Sequence, residues 1–147
     1  MVALDSNDVK RVQANSKLKV YQKAATDIQY LGMNIEKAPF DNVMVRQAFN
    51  YAIDKDAILQ VAANGFGEVA TSIIPSALLG HKDGPYTYDP KKAKDMLKTA
   101  RFDFNQTIKL WAYGDVGKKK AEIVQANLAD IGVKVDIEIY EVDAFIQ

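Results

Sequence analysis

The sequence contains no cysteine, which excludes disulfides, thiolate metal sites and cysteine nucleophiles together. Histidine occurs once, as His81, so a catalytic dyad or a His-rich metal site has no material. Neither sign of charge is in excess. With 19 Lys and Arg against 19 Asp and Glu, no global field draws the chain to nucleic acid or to an anionic membrane, and a nucleic-acid role is disfavoured. The densest basic run, Lys118 to Lys120, lies at the start of a helical pattern and reads as a solvated face. No run of about 18 apolar residues occurs, so no helix here is expected to cross a bilayer. The opening residues also lack the basic-then-apolar pattern of a secretory signal, and any signal of an exported parent protein is expected outside these residues.

What is present fits a single domain over residues 1–147. That length lies in the usual range of about 100 to 200 residues for one domain. Hydrophobic residues make up 48% of the chain, with one tryptophan, seven tyrosines and six phenylalanines, enough for a packed interior and against disorder. No internal repeat or low-complexity tract is found.

Periodicity gives the element order. A short helix is expected over 6–15, capped by Ser6 and carrying a thin apolar face through Val9 and Val12. Partial alternation with β-branched and aromatic residues predicts strands over 18–21 and 28–35, the second closed by Pro39. Asp41 is expected to cap a helix through Val43, Val45, Ala48, Phe49 and Ala52, and Asp54 a second helix through Ala57, Ile58, Val61 and Ala62. The second helix should stop at Asn64 and Gly65.

Residues 65–87 break into glycine and proline punctuation and predict a long ordered loop. Asp89 before Pro90 then starts a helix with Ala93, Met96, Leu97 and Ala100 on one face. A strand over 107–112 with Ile108 and Leu110 on one side, a turn over 114–117, a helix through Ala121, Val124, Leu128 and Ile131, and a strand over 133–140 complete the chain. Strand, helix, strand of these lengths implies a crossover between parallel strands.

Few residues carry chemistry. The segment 65–70 (GFGEVA) formally matches a dinucleotide fingerprint, but its glycines follow a helix instead of a strand, so no cofactor is expected. His81 reads as a solvated loop residue. Asp41, Asp54 and Asp89 each sit at a helix start, where capping explains them better than acid and base catalysis. Arg46 is expected to be structural, pairing locally with Asp41, Asn42 or Asn50. The best candidate site is Trp111, Tyr113 and Asp115, at the carboxyl end of a strand and the entry to a helix, where open α/β sheets bind ligands. There Tyr113 offers a flat face with a hydroxyl and Asp115 an acceptor for an ammonium group. The competing reading makes Trp111 and Tyr113 packing residues and Asp115 a cap.

Three segments share a pattern beyond periodicity: 30–54 (YLGMNIEKAPFDNVMVRQAFNYAID), 88–97 (YDPKKAKDML) and 121–136 (AEIVQANLADIGVKVD). In that order they resemble the bacterial extracellular solute-binding proteins, family 5, of peptide, dipeptide and nickel ABC transporters. Members of that family are several times longer. The resemblance therefore implies one lobe of a two-lobed receptor with a periplasmic-binding-protein-like (type II), mixed α/β fold, a mixed sheet flanked by helices.

The implied function is solute binding for import, this chain forming one wall of a cleft that closes on a peptide or related small solute and is then presented to an ABC permease. Implied partners are the solute, the permease and the opposite lobe. The implied location is extracytoplasmic, in the periplasm or at the cell surface, with a lipid anchor on the parent. Two departures weaken a dipeptide assignment. Dipeptide-binding relatives often carry a carboxylate-facing arginine in the loop that here runs from Ala112 to Gly117 and has none, and the family's amine-binding aspartate would follow the last strand, beyond Gln147. A self-contained protein-interaction module and a small enzyme are the alternative readings, the enzyme disfavoured by the want of a nucleophile beside a base.

Overall fold

The computed structural model describes residues 6–23 and 26–141. Five helices and two strands run in the order α1 (Ser6–Gln13), α2 (Val43–Ala52), α3 (Lys55–Ala62), α4 (Pro90–Thr99), β1 (Thr107–Tyr113), α5 (Gly114–Asp130) and β2 (Lys134–Tyr140). β1 and β2 pair in parallel with α5 as the crossover, as the alternation on either side of an amphipathic helix requires. The helices and the parallel pair make the fold mixed α/β; among the described residues the sheet contains these two strands and no antiparallel one.

The core lies where four apolar faces meet. α2 contributes Val45, Ala48, Phe49 and Ala52, a stripe at helical spacing, and packs on Ala93 and Leu97 of α4. α5 lays Ala121, Val124 and Leu128 over the inward residues of both strands and also packs against α3. Phe49 joins these layers, with ring centroids 5.1 Å from Phe40 and 6.4 Å from Phe102. Every residue in this stripe is a simple consequence of the pattern in the sequence.

Several expectations need correction. Ser6 is the first residue of α1, and the cap expected there rests on a side chain that lies outside those described. The strands expected over 18–21 and 28–35 do not form: the chain there is irregular, and Tyr21 and Tyr30 are exposed. Alternation alone does not make a strand, because the edge must find a hydrogen-bonding neighbour. Asp41 is not the cap of α2. Its amide donates back to the Lys37 carbonyl, which keeps it in the preceding turn, and Asn42 takes the capping place with Oδ1 accepting from Met44 N at 2.9 Å. The turn expected over 114–117 is instead the first turn of α5. Gly114, at φ 63, redirects the chain in a single residue, so the helix starts directly after β1.

Other readings hold. Asp54 and Asp89 cap α3 and α4 through bonds to Ala57 N and Lys92 N. α3 ends at Ala62 with Ala63 as its cap, and Asn64 and Gly65, both at positive φ, turn the chain away just after it. The long loop is irregular throughout, yet its exit is fastened to α2, where Asp89 N donates to the Tyr51 carbonyl at 2.8 Å and the Tyr86 ring sits edge-on to Tyr51.

Candidate functional site

Alternation along β1 divides its residues between two faces. Ile108, Leu110 and Ala112 turn toward α5, while Lys109, Trp111 and Tyr113 turn outward. The parallel register then decides their neighbours: Lys109 lies opposite Asp136, Trp111 opposite Glu138, and Tyr113 opposite Tyr140. An aromatic and charged surface results at the carboxyl ends of the two strands.

The three residues expected from sequence occupy adjoining positions. Trp111 is 59% exposed and Tyr113 47% exposed, so neither is a core residue. Tyr113 is also the residue before α5, in extended conformation, and gives that helix no side-chain cap. Asp115 lies in the exposed first turn of α5; it is not the cap, and its charge is favourably placed toward the helix amino end. Trp111 and Tyr113 therefore lie outside the core, and Asp115 is not the cap of α5.

Sequence reading missed the residues that order this surface. The Glu138 carboxylate takes one hydrogen bond from Lys109 Nζ through Oε1 and another from the Tyr140 hydroxyl, 2.9 Å from Oε2. Tyr140 in turn meets Trp111 edge to face, with centroids 5.6 Å apart. The donated bonds from Lys109 and Tyr140 hold the Glu138 carboxyl below its ordinary value, with a smaller contribution from Trp111. Bonding to the same carboxylate raises both Lys109 and Tyr140. The alternation in 134–140 was a signal for these residues; the register that joins them to β1 was not available from it.

Elsewhere, Arg46 is structural, with the expected neighbours Asp41, Asn42 and Asn50 among its partners and Phe40 added to them. Its guanidinium Nη1 donates to the carbonyls of Phe40 at 2.6 Å and Asp41 at 3.0 Å, tying the entry loop to α2, while the Asn50 amide donates to the Arg46 carbonyl. His81 is not simply solvated. Its Nδ1 lies 2.7 Å from the Ile74 carbonyl and its Nε2 3.2 Å from Asp83 Oδ1, and these contacts raise its pKa. Among the described residues no group of His, Asp and Glu could hold a metal ion. A shallow groove between α2 and α4, lined by Met44, Asp89, Lys92 and Met96, shares no residue with the aromatic surface.

Comparison with known proteins shows what the chain as a whole is similar to. The family described as bacterial extracellular solute-binding proteins, family 5 Middle, matches residues 1–146. The dipeptide-binding protein of Escherichia coli is 37% identical over 142 residues, covering 91% of this chain and 26% of the relative. Heme-binding protein A of Haemophilus influenzae is 35% identical over 142 residues, with the same coverage. Among solved structures, the ABC transporter-associated periplasmic binding protein DppA from Helicobacter pylori, in complex with peptide STSA, superposes with a TM-score of 0.88 at 32% identity, covering 98% of this chain and 28% of that one. The chain spans about a quarter of the length of the curated relatives it matches.

Proposed function

Since the chain belongs to the bacterial extracellular solute-binding proteins, family 5, we propose that it forms one lobe, and one cleft wall, of a longer ABC-transporter receptor for peptides or related small solutes. The observation that carries this reading is the outward aromatic surface of Trp111, Tyr113 and Tyr140, at the carboxyl end of parallel strands in a chain matched almost end to end by solute-binding relatives. The family is one of binding proteins and works outside the cytoplasm.

In this reading Trp111 and Tyr113 supply apolar contact. Asp115 accepts from a cationic group, and the permease meets the receptor only after an opposite lobe has closed. Closure follows from the solute's differential contacts with the open and closed forms. Exposed Tyr21, Tyr30, Ile73 and Leu79 fit a chain whose surface packs on the rest of such a receptor.

A single open wall is a poor receptor, because small-ligand sites commonly bury about 70–90% of the ligand surface. Calorimetric titration of a defined dipeptide pool into this chain and into the longer protein tests the reading. Binding is expected from the longer protein alone. Nanomolar binding by the chain by itself removes the need for an opposite wall and overturns the cleft assignment; binding by neither overturns the choice of peptide.

A further inference from the structure

The aromatic surface is held by a carboxylate whose bonds point along it. Glu138 lies directly across from Trp111 in the β1 to β2 register, and its two oxygens are spent on different partners: Oε1 on Lys109 Nζ, Oε2 on the Tyr140 hydroxyl at 2.9 Å. Tyr140 is thus fixed at its hydroxyl end. Its ring, set at 62° to the indole, forms the side against which Trp111 rests. Trp111 itself is 59% exposed and has little core packing to choose its rotamer, so this ring contact, together with its side-chain interaction with Glu138, orders it.

Resting on the cleft-wall reading above, we propose that Glu138 is a positioning residue for solute binding, holding Tyr140 against Trp111 so that the two rings present one fixed corner to the ligand. A solute meeting a pre-set corner does not have to immobilise two aromatic side chains on binding, and that saving appears as affinity. The three links act together: Lys109 anchors Glu138, Glu138 anchors Tyr140, and Tyr140 orients Trp111. Asp136, on the same outward face and opposite Lys109, adds a smaller Coulombic attraction on that ammonium.

Trp111 is the only tryptophan, so its fluorescence and near-ultraviolet circular dichroism report this corner without interference from another indole. In this chain, Glu138→Ala and Tyr140→Phe are expected to lower Trp111 anisotropy, reduce the near-ultraviolet signal and raise quenching by acrylamide by about two-fold, with far-ultraviolet dichroism unchanged. Glu138→Gln, which keeps an oxygen acceptor, is expected to restore part of the signal. An unaltered Trp111 signal in Glu138→Ala overturns the proposal.

In the longer protein, Glu138→Ala is expected to weaken binding of the dipeptide pool by about three- to ten-fold, the scale of one aromatic contact. Trp111→Ala separates the two ideas. If Trp111→Ala weakens binding and Glu138→Ala does not, positioning by Glu138 is wrong and the cleft wall stands. If neither does, the wall itself is wrongly assigned, whatever the spectra of the chain show.

Discussion

The side-chain carbonyl of Asn127 accepts a hydrogen bond from the backbone N–H of Asp54 at 3.0 Å, joining α5 to the elbow between α2 and α3. Asp54 is at the same time the cap of α3, with its Oδ1 on Ala57 N. Asp54 therefore begins α3 directly after Ile53, the C-terminal cap of α2, and is held to α5 as well. Asn127→Ala leaves the Asp54 amide without its partner at a part-buried position. It is expected to destabilise the chain by about 1–2 kcal/mol, measured by urea denaturation, while an exposed neighbour such as Ala126→Ser changes little.

Capping of α2 by Asn42 instead of Asp41 gives a paired test. Asn42→Ala removes the acceptor for Met44 N and is expected to destabilise by about 1 kcal/mol. Asp41→Ala leaves that bond and the Asp41 carbonyl bonded to Arg46 in place, so its effect should stay within about 0.5 kcal/mol. Equal losses in thermal or chemical denaturation would show that the cap is misassigned.

The long loop carries its own brace, and its dependence on pH has a definite sign. Both ring nitrogens of His81 face acceptors, Ile74 O and Asp83 Oδ1, an arrangement that only the doubly protonated ring satisfies at both ends. The Ile74 carbonyl bond, then the Asp83 bond, raises His81, while bonds from Thr71 and then His81 lower Asp83. A raised histidine stabilises fully below its unfolded value and ceases to do so as pH rises through its folded value. A lowered carboxylate stabilises above its unfolded value and loses this as pH falls through the folded one. The brace is therefore strongest between the two titrations, and amide exchange at His81 and Gly84 is expected to be slowest there. Ring resonances of the sole histidine follow the upper limb directly. A midpoint at or below that of a free histidine would refute the brace.

Gly84 is required at the foot of the same loop for a steric reason. Its N–H donates to Thr71 O at 2.9 Å, and a Cβ placed on it would stand 2.4 Å from that oxygen. Gly84→Ala is expected to break the bridge and destabilise by roughly 1–2 kcal/mol, with faster exchange confined to 71–84. Gly80 has open space about its Cβ position and, at φ 92, only conformational strain to add. Stability equal to wild type in Gly84→Ala would mean that the bridge contributes nothing.

Much of the architecture was legible because it rests on local rules. The stripe from Val45 to Ala52, the caps Asp54 and Asp89, the proline at the start of α4 and the glycine stop at Gly132 each follow from side chains within a turn or two of one another. The inward and outward residues of β1 follow from alternation alone, whereas alternation leaves the exposure of Trp111 and Tyr113 open against a packing reading. The ordered motifs also identified the family.

Tertiary structure decided the rest. Residues 18–21 and 28–35 have the composition of strands without the neighbour a strand needs, and no local pattern supplies one. Asn42, not Asp41, stands directly before the first residue of α2, where its Oδ1 accepts from Met44 N. Above all, Glu138 and Tyr140 reached Trp111 through the register of two strands separated by a 17-residue helix, a relation set by how α5 packs on the sheet. Sequence determined which faces each element has, since side-chain direction is a property of the backbone period. Which faces meet depends on long-range packing, and that alone assembled the aromatic corner.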